Sequence, residues 1–172
     1  MNRTASGSWA GMTTSRLKTA ILPGLVAGAA GTTAINAATY LDMTIRGRAP
    51  SQTPEQTVDA IVARVPVEVP GSGDQRRHRV SGLAGMSGIA TGISVGLLFG
   101  VLRQWGFRPP ALIGGVLVGA AAMAATDSSM KALRVSDPAT WSATDWLADA
   151  LPHAVYGTVT YLTLRLLQGP RG

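Results

Sequence analysis

The chain has 172 residues, of which 46% are hydrophobic and only 14% charged, with 21 glycines, two phenylalanines and a formal net charge of +6. Soluble domains are about one-quarter charged, whereas the apolar mass here is Ala, Gly and Val gathered into long uncharged blocks. The absence of cysteine excludes disulfides, thiolate metal sites and thiol nucleophiles, and the basic residues form no aromatic-interleaved stripe of the kind that binds nucleic acid.

In chain order, residues 1–19 read as a flexible basic tail containing Arg16 and Lys18. The apolar run over 20–41 then matches the ~20 residues that cross a bilayer. It is longer than the apolar region of a secretory signal, and the pattern recurs internally, so it is read as part of the mature protein. In the following loop, TPEQTVDAI predicts a short surface helix with Thr53 as N-cap, Pro54 at the first helical position and Gln56 completing a capping box. The prolines and Gly-Ser-Gly of VPVEVPGSGDQRR predict an extended connection over 65–77.

A second span is expected over 80–102, with Gly88, Gly92, Gly96 and Gly100 along one face where a neighbouring backbone can pack. After a short turn at 103–108, a third span is expected over 109–126, continuing towards Leu133. In the next loop Ser142 and Asp145 have capping spacing, and Trp141 and Trp146 suit the headgroup region. A fourth span over 146–167 carries Asp149, Pro152, His153 and Arg165, which are placed towards its two interfaces. The expected fold is therefore an all-α membrane protein of four transmembrane helices with short interfacial helices in the loops.

An internal repeat organises these spans. GLVAGAAGTTAIN, from Gly24, aligns with GVLVGAAAMAATD, from Gly115, so that Gly24, Gly28 and Asn36 fall on Gly115, Gly119 and Asp127. The chain's two histidines each open an H-x-V-x-G frame, His78 in HRVSG and His153 in HAVYG. Two parallel two-helix repeats follow, 20–102 and 103–167, with a C-terminal tail at 168–172, and the two histidines are expected at equal depth. Gly24, Gly28, Gly115 and Gly119 join the α-helical packing positions.

Polar residues late in a span are the candidate binding positions: Asn36 and Asp127, with His78 and His153. Two histidines from symmetry-related helices could form a bis-imidazole site, with Asp149 the nearest carboxylate in sequence. The positive field of RRHR around His78 opposes a cation, so no metal and no cofactor are expected. No HExxH, phosphate loop or G-x-S-x-G is present, and the chain is not expected to be an enzyme.

The stretch GTTAINAATYLDMTIRGRAPSQTPEQTVDAI, with LPHAVYGTVTYLTLRLL, resembles small integral membrane proteins of actinobacteria. The resemblance implies a bacterial plasma membrane and carries no activity. Lys and Arg number seven on the side of the termini and eight on the other, but every acid lies on the other side. That asymmetry, with the Arg16/Lys18 pair, places both termini in the cytoplasm. The expected partners are the lipid bilayer and other membrane proteins or a second copy, with no nucleic acid. The function expected is an accessory or interaction subunit of a larger membrane complex; the alternative is a small homo-oligomeric transporter or channel using Asp127 in a polar path.

Overall fold

The computed structural model describes residues 7–169, with side chains from Thr19 onward. The expected basic tail at 1–19 lies almost entirely outside the described side chains, as do the last three residues of the C-terminal tail. Five α-helices are described: α1 (Gly7–Arg46), α2 (Thr53–Val62), α3 (Gly73–Gln104), α4 (Ala111–Ala132) and α5 (Ala143–Gln168), with a 3-10 turn at Pro138–Thr140. Among the described residues, three helical segments are long and apolar enough to cross a membrane: Thr19–Arg46, Gly73–Gln104 and Ala111–Ala132. Helix α5, with 26 residues, reaches ~39 Å. Asp145, Asp149 and Arg165 interrupt its apolar run.

The long helices form a row in the order α3–α1–α5–α4, and α2 packs on α3. Neighbouring helices meet where glycines bring backbones together. A Cβ on Gly28 would stand 2.7 Å from the carbonyl oxygen of Gly92, and one on Gly24 would stand 2.7 Å from the Cα of Leu97. On the other side of the row, Gly119 lies equally close to the carbonyl of His153, and Gly157 fits between Gly115 and Gly119. Both pairs run antiparallel. The row's interior is filled by Val95, Phe99, Val118, Tyr156, Tyr161 and Leu164, while Leu112 and Leu166 project outward, 80% and 83% exposed. Outward leucines of this kind suit a lipid solvent.

Several expectations are corrected. The N-cap of α2 is Gln52 rather than Thr53, and its side chain caps nothing. Ser51 Oγ accepts the Thr53 N–H at 3.2 Å instead, so the predicted capping box does not form. The expected extended connection ends early, because α3 starts at Gly73 with Asp74 in its first turn. Acids are favourable at that end of a helix, and Arg76 and Arg77 then pair with Asp59 and Asp74. The second capping box does form, with Ser142 and Asp145 exchanging both bonds.

The two histidines do not share a depth. Gly28 faces Gly92, whereas Gly119, its counterpart in the aligned first helices, faces His153. The Tyr156 hydroxyl meets the Gly92 carbonyl oxygen at 2.6 Å, so His153 lies just one turn before that level on α5, while His78 lies several turns before it on α3.

Helix α4 ends on a Schellman motif. Val135 N–H donates to Met130 O at 2.9 Å and Arg134 N–H to Lys131 O at 3.0 Å. Arg134 occupies the left-handed position at φ 60°, which glycine adopts without a Cβ penalty. Arg134→Gly is expected to stabilise the protein by about 1 kcal/mol, read as a higher unfolding midpoint in detergent.

Candidate functional site

Two polar groupings lie at opposite ends of the row. At the end carrying the long loops, α4 brings Asp127 against α5. The Asp127 residue is 8% exposed, and among the described residues its side chain accepts from Thr126 Oγ1 at 3.5 Å. It interacts electrostatically with Asp149 and His153 of α5. Those two are one helical turn apart, with His153 Nδ1 lying 2.8 Å from the Asp149 carbonyl oxygen and 3.5 Å from its Oδ1. A carbonyl only accepts, so Nδ1 carries the hydrogen. Asp149 Oδ2 is buried with no hydrogen-bond partner.

Asp127 and His153 thus lie on the packed pair α4 and α5, with Asp149 one turn before His153. Asn36 lies exposed on α1 and His78 exposed near the start of α3; no hydrogen bond joins either to Asp127. Among the described residues no three His, Asp or Glu side chains are placed to hold a metal ion.

Of the glycine positions, Gly92, Gly96 and Gly100 meet α1, Gly24 and Gly28 meet α3, and Gly115 and Gly119 meet α5. Gly88 is the exception. Nothing lies within 4 Å of where its Cβ would be, and the same holds for Gly82 and Gly85. One face of the N-terminal half of α3 thus leaves these glycines uncovered, while α2 covers Val80 and Ala84 on another.

At the other end sits a group that the sequence pattern does not single out. Arg103, at the end of α3, is 4% exposed. Its Nη1 donates to Tyr161 Oη at 2.9 Å and its Nε to Gln168 Oε1 at 3.2 Å. The guanidinium carbon lies 5.0 Å from the Tyr161 ring centroid. The Tyr161 hydroxyl donates in turn to Pro109 O at 2.7 Å, and Gln168 Nε2 donates to Gly100 O at 2.9 Å. Arg108 adds bonds to the carbonyls of Gly169 and Arg103. Among the described residues Arg103 has no carboxylate partner. Its charge instead sits where α3 and α5 both end, and each helix C-terminus carries roughly half a negative charge. The one sequence signal was an arginine directly after an apolar run on the acid-free side of the chain.

An all-helical bundle with three bilayer-length apolar helices is compatible with a membrane protein. No known protein family, characterised protein or solved structure matches the chain.

Proposed function

We propose that this is a four-span protein of a bacterial plasma membrane, with both termini cytoplasmic, serving as an accessory or interaction subunit of a larger membrane complex. The carrying observation is the uncovered glycine face in the N-terminal half of α3. Gly82, Gly85 and Gly88 face open space, while Gly24, Gly28, Gly92, Gly96, Gly100, Gly115, Gly119 and Gly157 are spent on contacts between helices. Small residues let a second helix approach closely in lipid, and Leu83, Met86 and Ile89 beside them are exposed too. Helix α5 has the length for a fourth span, and its acids gather towards its N-terminal end. The repeated Gly-x-x-x-Gly of α1 and α4 supports a common origin for those two helices. No enzymatic role is assigned, and the membrane itself is the solvent partner.

The test is gentle purification from native membranes with identification and stoichiometry of whatever co-purifies. A fixed-ratio partner is expected, and Gly85→Leu or Gly88→Leu should release it while leaving the bundle folded, because the added side chains enter open space. A homogeneous protein with no partner in either form overturns the accessory reading.

A second reading, a small homo-oligomeric transporter or channel, draws on the burial of Asp127 beside Asp149 and His153. In that case Asp127→Asn abolishes flux in proteoliposomes. In an accessory protein the same substitution leaves the partner complex intact.

A further inference from the structure

Beyond the end of α4, on the loop side, lies an open cavity of about 370 Å³ lined by Lys131, Arg134, Val135, Ser136 and Asp137. Small-ligand sites run from about 300 to 1,000 Å³. The lining here is mostly charged, with Val135 its one aliphatic member, so it suits an ion better than an apolar molecule.

Its charges do not cancel. Lys131 Nζ pairs with Asp137 Oδ1 at 3.0 Å, and the same oxygen accepts the Ala139 N–H at 3.0 Å. Arg134 is exposed, and among the described residues its side chain has no hydrogen bond and no ion pair. Arg64 reaches across from beyond the end of α2 and donates to the carbonyls of Ala60 and Leu133, not to an acid. Three cations against one carboxylate leave the corner with a surplus of positive charge.

A helix C-terminus ordinarily disfavours an anion, because its free carbonyls carry partial negative charge. These carbonyls are already occupied. The Val135 and Arg134 N–H groups cover Met130 O and Lys131 O, and Arg64 Nη2 covers Leu133 O at 3.0 Å. Ser136 adds a donor: its Oγ accepts the Trp141 Nε1–H at 2.9 Å, which leaves the hydroxyl hydrogen able to turn into the cavity. The same indole sets the depth. Trp141 packs edge to face on Trp146 at 5.2 Å, and tryptophans gather at the headgroup level of a bilayer. Arg134 is held at φ 60°, so its side chain stands there against the backbone preference for glycine.

We infer that this corner binds the phosphate of an anionic phospholipid headgroup, held by Arg134, Lys131 and the Ser136 hydroxyl, with Arg64 adding charge from the α2 side. The arginine fork matches two phosphate oxygens at once. The surplus positive charge favours a headgroup of net negative charge over a zwitterionic one. Asp137 is held on Lys131 and the Ala139 N–H, so its own charge is already answered. A lipid as the source of the phosphate rests on the membrane reading of the chain; the affinity of the corner for a phosphate does not.

The experiment is native mass spectrometry of the full chain released from detergent, titrated separately with phosphatidylglycerol, phosphatidylcholine and inorganic phosphate. The wild type is expected to retain phosphatidylglycerol about tenfold more tightly than phosphatidylcholine, and Arg134→Gly should weaken that binding about tenfold or more, the scale of one lost charge-assisted hydrogen bond. The same substitution is expected to raise the unfolding midpoint, so binding and stability move in opposite directions and misfolding cannot account for the loss. Arg165→Gln removes an exposed arginine near the opposite end of α5 and should leave the tightest site intact. No retained lipid, equal affinity for the two lipids, no loss in Arg134→Gly, or the same loss in Arg165→Gln overturns the proposal. Inorganic phosphate that binds as tightly as the lipid and displaces it would make the occupant a soluble phosphate compound and overturn the lipid assignment.

Discussion

Replacing Gly157 by alanine is expected to lower stability by about 2–3 kcal/mol, the cost of forcing a methyl group into a filled interface. The new Cβ would stand 2.7 Å from the Cα of Gly119 and closer still to the carbonyl oxygen of Gly115. Every atom it meets is backbone, so no side chain can rotate away. Helices α4 and α5 must separate, and the loss spreads to the packing of Val118 and Tyr161 around them. The control is Gly88→Ala, on a helix of the same row but facing open space. There alanine gains helix propensity worth up to ~1 kcal/mol. Unfolding in mixed detergent, followed by the fluorescence of the Trp141–Trp146 pair at the start of α5, should order the three proteins as Gly88→Ala at or above wild type and Gly157→Ala well below both. Equal midpoints for the two variants would show that the α4–α5 contact is not close-packed in the membrane protein.

The same pair of glycines shows where the sequence was legible. Gly82 and Gly157 occupy the same place in HRVSG and HAVYG, yet one meets nothing and the other sits at the tightest backbone-to-backbone contact of the row. A local frame reports which residues follow one another. It does not report the level at which two helices cross, which depends on where small residues on both partners coincide. The four-residue glycine spacing of α3 marks a helix face, of which Gly92, Gly96 and Gly100 meet α1. It could not show that the contact reaches Gly92 and stops before Gly88, because helices crossing at an angle touch over only part of their length. The apolar runs themselves were plain from composition, since bilayer-length blocks of Ala, Val and Gly need no partner to be recognised. The polar groupings were the hardest to read. Asp127 stood out as an acid near the end of a span, but its neighbours Asp149 and His153 lie on the next long helix, in the register set by Gly119.

Arg103 was hidden for the same reason, because its burial depends on Tyr161 and Gln168 at the far end of the chain. Arg103→Ala is expected to cost about 3 kcal/mol, the scale of two hydrogen bonds to a charged group offset by the energy of desolvating it. The lost contacts are those to Tyr161 Oη and Gln168 Oε1, and their loss loosens the join between the C-terminal ends of α3 and α5. Tyr161→Phe should also destabilise, since it strips a partner from Arg103 Nη1 and from Pro109 O together. The two changes act on one chain of bonds, so their effects should not add: the double variant is expected to fall short of the sum by about 1 kcal/mol or more. Arg103→Lys keeps the charge at the two helix ends but lacks the fork that reaches both partners, and should recover only part of the loss. A lysine variant as stable as wild type would mean that charge alone suffices there. Full additivity of the Ala and Phe changes would mean that Arg103 and Tyr161 act independently, and that the turn end is held by the Arg108 bonds and apolar packing instead.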